Sequence, residues 1–128
     1  MRNINESAEN YLETILILSK TRPVVRSVDI AEFLGFKKSS VSVAMKNLRE
    51  KEHITVTKEG FIYLTESGQE IADMIYERHE VLSNWLSSLG VNPDIAASDA
   101  CRIEHVISKE SFDAIKKHIS RISSGKVF

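Results

Sequence analysis

Hydrophobic residues recur with helical spacing along most of the chain, interrupted once by a short strand-like stretch. From Glu6 to Lys20 the apolar positions are 8, 11, 12, 15, 16 and 18. That is the stripe of an amphipathic helix, with Ser7 as its expected cap. Thr21-Arg22-Pro23 ends it, because the residue before a proline avoids helical angles. Ser27 to Gly35 reads as a second, short helix, capped by Ser27, buried along Ile30, Ala31 and Leu34, and stopped by Gly35. After the tight connection Phe36-Lys37-Lys38, Ser39-Ser40 opens a third helix with apolar residues at 41, 44, 45 and 48. Two helices joined by a short glycine-containing turn form a helix-turn-helix.

The pattern then changes period. His53-Ile54-Thr55-Val56-Thr57 and Phe61-Ile62-Tyr63-Leu64-Thr65 are β-branched and aromatic and flank Lys58-Glu59-Gly60, a hairpin signal. A hairpin directly after a helix-turn-helix is a wing. Helical spacing returns from about 66 to 89, through Ile71, Ile75, Val81, Leu82, Trp85 and Leu86. Gly90-Val91-Asn92-Pro93 breaks it, and Pro93 suits the first turn of a further helix to about Ile107. Ser108 to Ser111 is another break, Ser111 to Ile122 a last amphipathic helix, and Ser123 to Lys126 a fraying tail. The expected fold is mainly α: a winged helix-turn-helix over residues 1–70, then an all-helical domain over 71–128. There is no internal repeat and no low-complexity segment.

The composition, with 42 % hydrophobic residues and a net charge of −1, fits a folded chain and excludes a uniformly basic, histone-like one. Charge is nonetheless local. Residues 37–58 hold Lys37, Lys38, Lys46, Arg49, Lys51 and Lys58 against Glu50 and Glu52. Lysines there supply phosphate contacts, which give affinity without sequence information. Ser27, Ser39, Ser40 and Ser42 offer hydroxyls to phosphate or base edges, Val43 can touch a thymine methyl, and Lys58 sits at the wing tip. The expected partner is double-stranded operator DNA, read by a homodimer whose interface uses part of Ile71, Ile75, Trp85, Leu86, Ile95 and Val106.

A single cysteine excludes an intramolecular disulfide framework, the first residues lack a signal-peptide core, and no apolar run nears the roughly 18 residues of a membrane span. These features point to a reduced, cytoplasmic protein with no membrane partner. That cysteine heads Cys101-Arg102-Ile103-Glu104-His105. On a helix, positions 101, 104 and 105 share a face, and a thiolate, a carboxylate and an imidazole together form a transition-metal donor set.

Taken together, Glu9-Asn10-Tyr11-Leu12-Glu13 on the first helix, Arg78-His79 on the long helix and Cys101-x-x-Glu104-His105 resemble the diphtheria toxin repressor family. The resemblance runs from about residue 6 to 120 and implies a metal-dependent repressor, not an enzyme. By position it implies metal ligands at Asn10, Glu13, His79, Cys101, Glu104 and His105, and a C-terminal domain that both dimerises and binds metal. It implies Fe(II) or Mn(II) as co-repressor, with Zn(II), Co(II) or Ni(II) able to bind in vitro. Manganese-responsive members usually have aspartate at position 10 and glutamate at 101. Iron-responsive members usually have the cysteine, but methionine at 10 and no glutamate at 13. This chain mixes the two patterns. Ser83 and Ala97 stand where an ancillary site would need ligands, and a third, SH3-like domain is not expected. The rival reading is a winged-helix regulator without metal, sensing redox state through Cys101 or a small ligand.

Overall fold

The computed structural model describes residues 6–123, so residues 124–126 of the expected fraying tail lie outside the described residues, while Ser123 ends the last helix. It has six helices and one two-stranded sheet. In order these are α1 (Glu6–Ser19), α2 (Ser27–Leu34), α3 (Lys38–Glu50), β1 (Ile54–Val56), β2 (Ile62–Leu64), α4 (Glu66–Ser88), α5 (Pro93–Ile103) and α6 (Lys109–Ser123). The chain divides into two compact units, one ending at Met74 and the other beginning at Ile75, so the division falls inside α4. No described helix is long and apolar enough to cross a membrane.

The first unit is the winged helix-turn-helix. Leu12, Ile15 and Leu16 of α1, Ile30 and Ala31 of α2, Val41, Met45 and Leu48 of α3, and Ile54 and Ile62 of the hairpin are all buried. Each lies on the stripe that its period predicts. The turn between α2 and α3 depends on Gly35, which takes φ +70° as its helix ends, a left-handed angle that favours glycine. Tyr11 packs edge-on against Phe36 in this turn, with ring centroids 6.1 Å apart. β1 and β2 pair antiparallel with Thr55 opposite Tyr63, and the turn closes through Gly60 at φ +87°. The Ile62 N–H also donates to the Val25 carbonyl at 2.8 Å, tying the segment before α2 to the hairpin.

Thr65 joins this unit to the start of α4. Its hydroxyl donates to the Glu52 carbonyl at 2.7 Å and accepts from the Gly68 N–H at 3.3 Å, while its own N–H donates to the His53 carbonyl at 3.1 Å. The same residue therefore caps α4 and fixes the base of the hairpin.

In the second unit, Leu82, Ala100 and Phe112 form a buried cluster lined by Val81, Trp85, Ile103, Ile107 and Ile115. Asn92 caps α5 by accepting from the Asp94 N–H at 2.9 Å, with Pro93 in the first turn. Ser108 caps α6 by accepting from the Ser111 N–H at 3.0 Å.

Several element ends differ from the sequence expectation. Ser7 lies inside α1 and does not cap it. The residue preceding α2 is Arg26, not Ser27, and the Asp29 carboxylate accepts from the Arg26 N–H at 2.9 Å. α3 starts at Lys38, one residue before the expected serine pair, and α6 starts at Lys109. The largest difference is α5, which stops at Ile103 instead of running to about 107.

Candidate metal centre and DNA-binding surface

The early end of α5 changes the geometry of the Cys101–His105 segment. Glu104 keeps helical angles at the helix terminus, φ −56° and ψ −29°, but residues 104–106 form a turn. Cys101 thus lies in the last turn of α5, and Glu104 and His105 lie in the turn that follows. Cys101 is exposed, whereas Glu104 is fully buried and His105 is 8 % exposed. His79, half-buried on α4, meets Glu104 directly, with Nδ1 2.9 Å from Oε1. The second carboxyl oxygen of Glu104, Oε2, is buried with no hydrogen-bond partner among the described residues.

In the first unit, Asn10 and Glu13 lie three residues apart on α1, Asn10 half-buried and Glu13 buried. Glu13 is buried beside Leu12 and Ile15, and Glu9 and Thr14 are buried on the same helix. A carboxylate is a costly occupant of such a place unless it has a partner.

These residues suit a divalent cation. A buried carboxyl oxygen without a protein partner costs on the order of 1–3 kcal/mol, and a coordinated ion removes that cost. Carboxylate and amide oxygens are donors for Mn(II) and Fe(II), imidazole is an intermediate donor, and thiolate is a soft one. Cys101 is exposed on α5.

The expected DNA-binding residues lie on the surface of the first unit. Lys37 precedes α3, and Lys38, Ser39, Ser40, Ser42, Val43 and Lys46 are exposed along it, while Val41, Met45 and Leu48 are buried. Val43 is 60 % exposed, which leaves its methyls accessible for contact with a base methyl. Lys58 is exposed in the hairpin turn, and Ser27 is half-buried at the first residue of α2.

Sequence reasoning missed two arginines. The Arg26 guanidinium lies 4.9 Å from the ring centre of Phe61, linking the start of α2 to the wing, and its position beside Ser27 was the only available signal. Arg78 is buried beside His79. Its place in the Arg78-His79 pair was visible in the sequence, but its role was not.

Comparison with known proteins places both halves. Residues 3–60 match the family described as iron dependent repressor, N-terminal DNA binding domain. Residues 65–124 match iron dependent repressor, metal binding and dimerisation domain. The transcriptional regulator MntR of Escherichia coli O6:H1 is 34 % identical over 111 residues, covering 87 % of this chain and 72 % of that protein. The HTH-type transcriptional regulator MntR of Geobacillus thermodenitrificans is 35 % identical over 109 residues, covering 85 % of this chain and 77 % of that one. A manganese-dependent transcriptional repressor solved in complex with manganese has a TM-score of 0.78 at 25 % identity, covering 94 % of this chain and 53 % of that structure. The chain thus spans about half the length of that repressor.

Proposed function

Because the chain belongs to the iron dependent repressor family, and is therefore a metal-dependent transcriptional repressor of metal homeostasis, we propose that Fe(II) or Mn(II) is its co-repressor and that the loaded protein binds operator DNA as a homodimer. The ligands in this reading are Asn10, Glu13, His79, Cys101, Glu104 and His105. One observation carries it: within the metal-binding match, fully buried Glu104 shares one carboxyl oxygen with His79 and has no partner for the other among the described residues.

When bound, one or two ions per chain would supply the positive charge that donors of this set neutralise. Glu104 and Glu13 contribute anionic oxygens, Asn10 a neutral carbonyl, His79 and His105 imidazole nitrogens, and Cys101 a thiolate. Two of these residues belong to α1, which packs on the helix-turn-helix, and four to the second unit. Ligation of all six therefore restricts the reader to orientations that the second unit permits. Lys37, Lys38, Lys46 and Lys58 hold the phosphate backbone, and the serines at the start of α3 lie where its N-terminal end favours anionic oxygens. Leu89, Ile95 and Val106 are 63 %, 56 % and 67 % exposed and supply apolar surface for a second copy. Ile75, assigned in part to that interface from the sequence, is fully buried within the chain. The protein acts in the cytoplasm and has no catalytic role in this reading.

The test is a titration of DNA binding with metal under anaerobic conditions. Duplexes selected from a random pool by the Mn(II)-loaded protein serve as probe. Affinity is expected to rise with Fe(II) or Mn(II) and to disappear with chelator, at constant reductant. DNA binding that ignores chelator and follows reductant contradicts this reading and favours redox sensing at the exposed Cys101 thiol.

A further inference from the structure

Arg78 immediately precedes His79 on α4 and is only 4 % exposed, a rare position for a guanidinium. Its Nη1 donates to the carbonyl of Glu104 at 3.2 Å and to that of Ile107 at 2.7 Å. The guanidinium stands 5.4 Å from the Phe112 ring centre. The two carbonyls bracket the turn in which α5 ends. Carbonyls at a helix C-terminus lack partners within the helix and carry partial negative charge, so a buried cation is well matched to them. Two neighbouring residues of α4 thus act on Glu104, Arg78 on its main chain and His79 on its side chain.

We propose that Arg78 is a positioning residue for the candidate metal centre: by holding the carbonyls of Glu104 and Ile107 it fixes the turn from which the Glu104 carboxylate and the His105 imidazole project, and thereby sets affinity for a divalent ion. The proposal rests on the reading of Glu104 and His105 as ligands. Without the guanidinium, the Glu104 carbonyl loses a charged donor and the turn can unwind or continue as helix. Either change redirects two consecutive side chains, and metal–donor distances tolerate only about 0.2 Å.

Arg78→Met keeps the apolar stem beside Phe112 and removes the donors. The probe is Co(II), whose visible absorption reports donor geometry. Arg78→Met is expected to bind Co(II) roughly 10–100-fold more weakly, with an altered spectrum. Arg78→Lys, whose ammonium lacks the guanidinium fork, is expected to fall between it and the wild type. Phe112→Leu, which loosens the packing and leaves the carbonyl contacts intact, should lower the melting temperature and retain the Co(II) spectrum. Wild-type Co(II) affinity and spectrum in Arg78→Met overturn the proposal, whatever its melting temperature. Should Arg78→Met not fold, Arg78→Lys decides: Co(II) binding equal to the wild type overturns the proposal, and weaker binding with a shifted spectrum at full helix content supports it. His105→Ala is run beside them. If it binds Co(II) normally, the ligand assignment itself fails; if it loses Co(II) while Arg78→Met does not, only the role of Arg78 fails.

Discussion

Replacing Glu104 with glutamine is expected to leave the metal-free protein nearly as stable as the wild type while removing its stabilisation by metal. Glutamine matches the volume of this fully buried side chain and keeps an oxygen for His79 Nδ1. It exchanges one unpartnered buried oxygen for one unpartnered amide, so metal-free stability should change by no more than about 1 kcal/mol. With metal the balance differs. An ion at 100 times its dissociation constant stabilises the folded state by about 2.7 kcal/mol, a rise of roughly 10 °C in the melting temperature of a chain this size. Loss of an anionic donor should weaken binding by about 100-fold or more and reduce that rise to a degree or two. Paired thermal melts in chelator and in excess Mn(II) check both halves. A wild-type rise in Glu104→Gln removes Glu104 from the ligand set.

The second large effect is expected at Gly68. Replacing glycine by alanine inside a helix ordinarily stabilises by about 0.5–1 kcal/mol. Here the sign reverses. Gly68 is buried in the first turn of α4, where an added Cβ would overlap the carbonyl oxygen of His53. That oxygen is backbone, already held by the Thr65 N–H at 3.1 Å, and Thr65 in turn holds Glu52 and the Gly68 N–H. Neither side can yield without breaking the junction between hairpin and helix. Gly68→Ala should lose about 3 kcal/mol in urea unfolding, at the upper end of overpacking costs. It should also weaken DNA binding even with metal in excess, because the hairpin carrying Lys58 moves. An unchanged or higher stability contradicts this description of the junction.

What the sequence made legible and what it hid divide along a physical line. Local chemistry was readable. Gly35 and Gly60 both take the left-handed angles their turns demand, and Pro93 stands in the first turn of α5 as expected. The buried stripe of α3 follows its 3.6-residue period, whereas α1 also buries Glu9, Glu13 and Thr14 beside its apolar stripe. Features set by distant partners were not readable. Nothing in Ile103-Glu104-His105-Val106 disfavours helix, yet α5 ends there, with Arg78 holding carbonyls 26 and 29 residues away in sequence. The exposure of Cys101 and the full burial of Glu104 three residues on were likewise not readable. Glu52 adopts φ +63° without being glycine, in a turn whose carbonyl Thr65 holds from 13 residues away. At α2, Ser27 looked like the cap, but the helix begins one residue earlier, with Arg26 at the cap position and the Asp29 carboxylate accepting from its N–H. The chemistry of the candidate site was visible as a set of donor types. The pairing of His79 with Glu104 needed the fold.

The membership of this chain in a repressor family places metal and DNA on one molecule, and the central claim is that each controls the affinity of the other. Coupling between two binding sites is reciprocal, so it can be read from the metal side alone. The decisive measurement is the affinity for Mn(II), titrated anaerobically with and without a saturating selected duplex. Mn(II) is expected to bind more tightly on DNA, by the same factor by which Mn(II) tightens DNA binding. Equal Mn(II) affinity with and without DNA would contradict it.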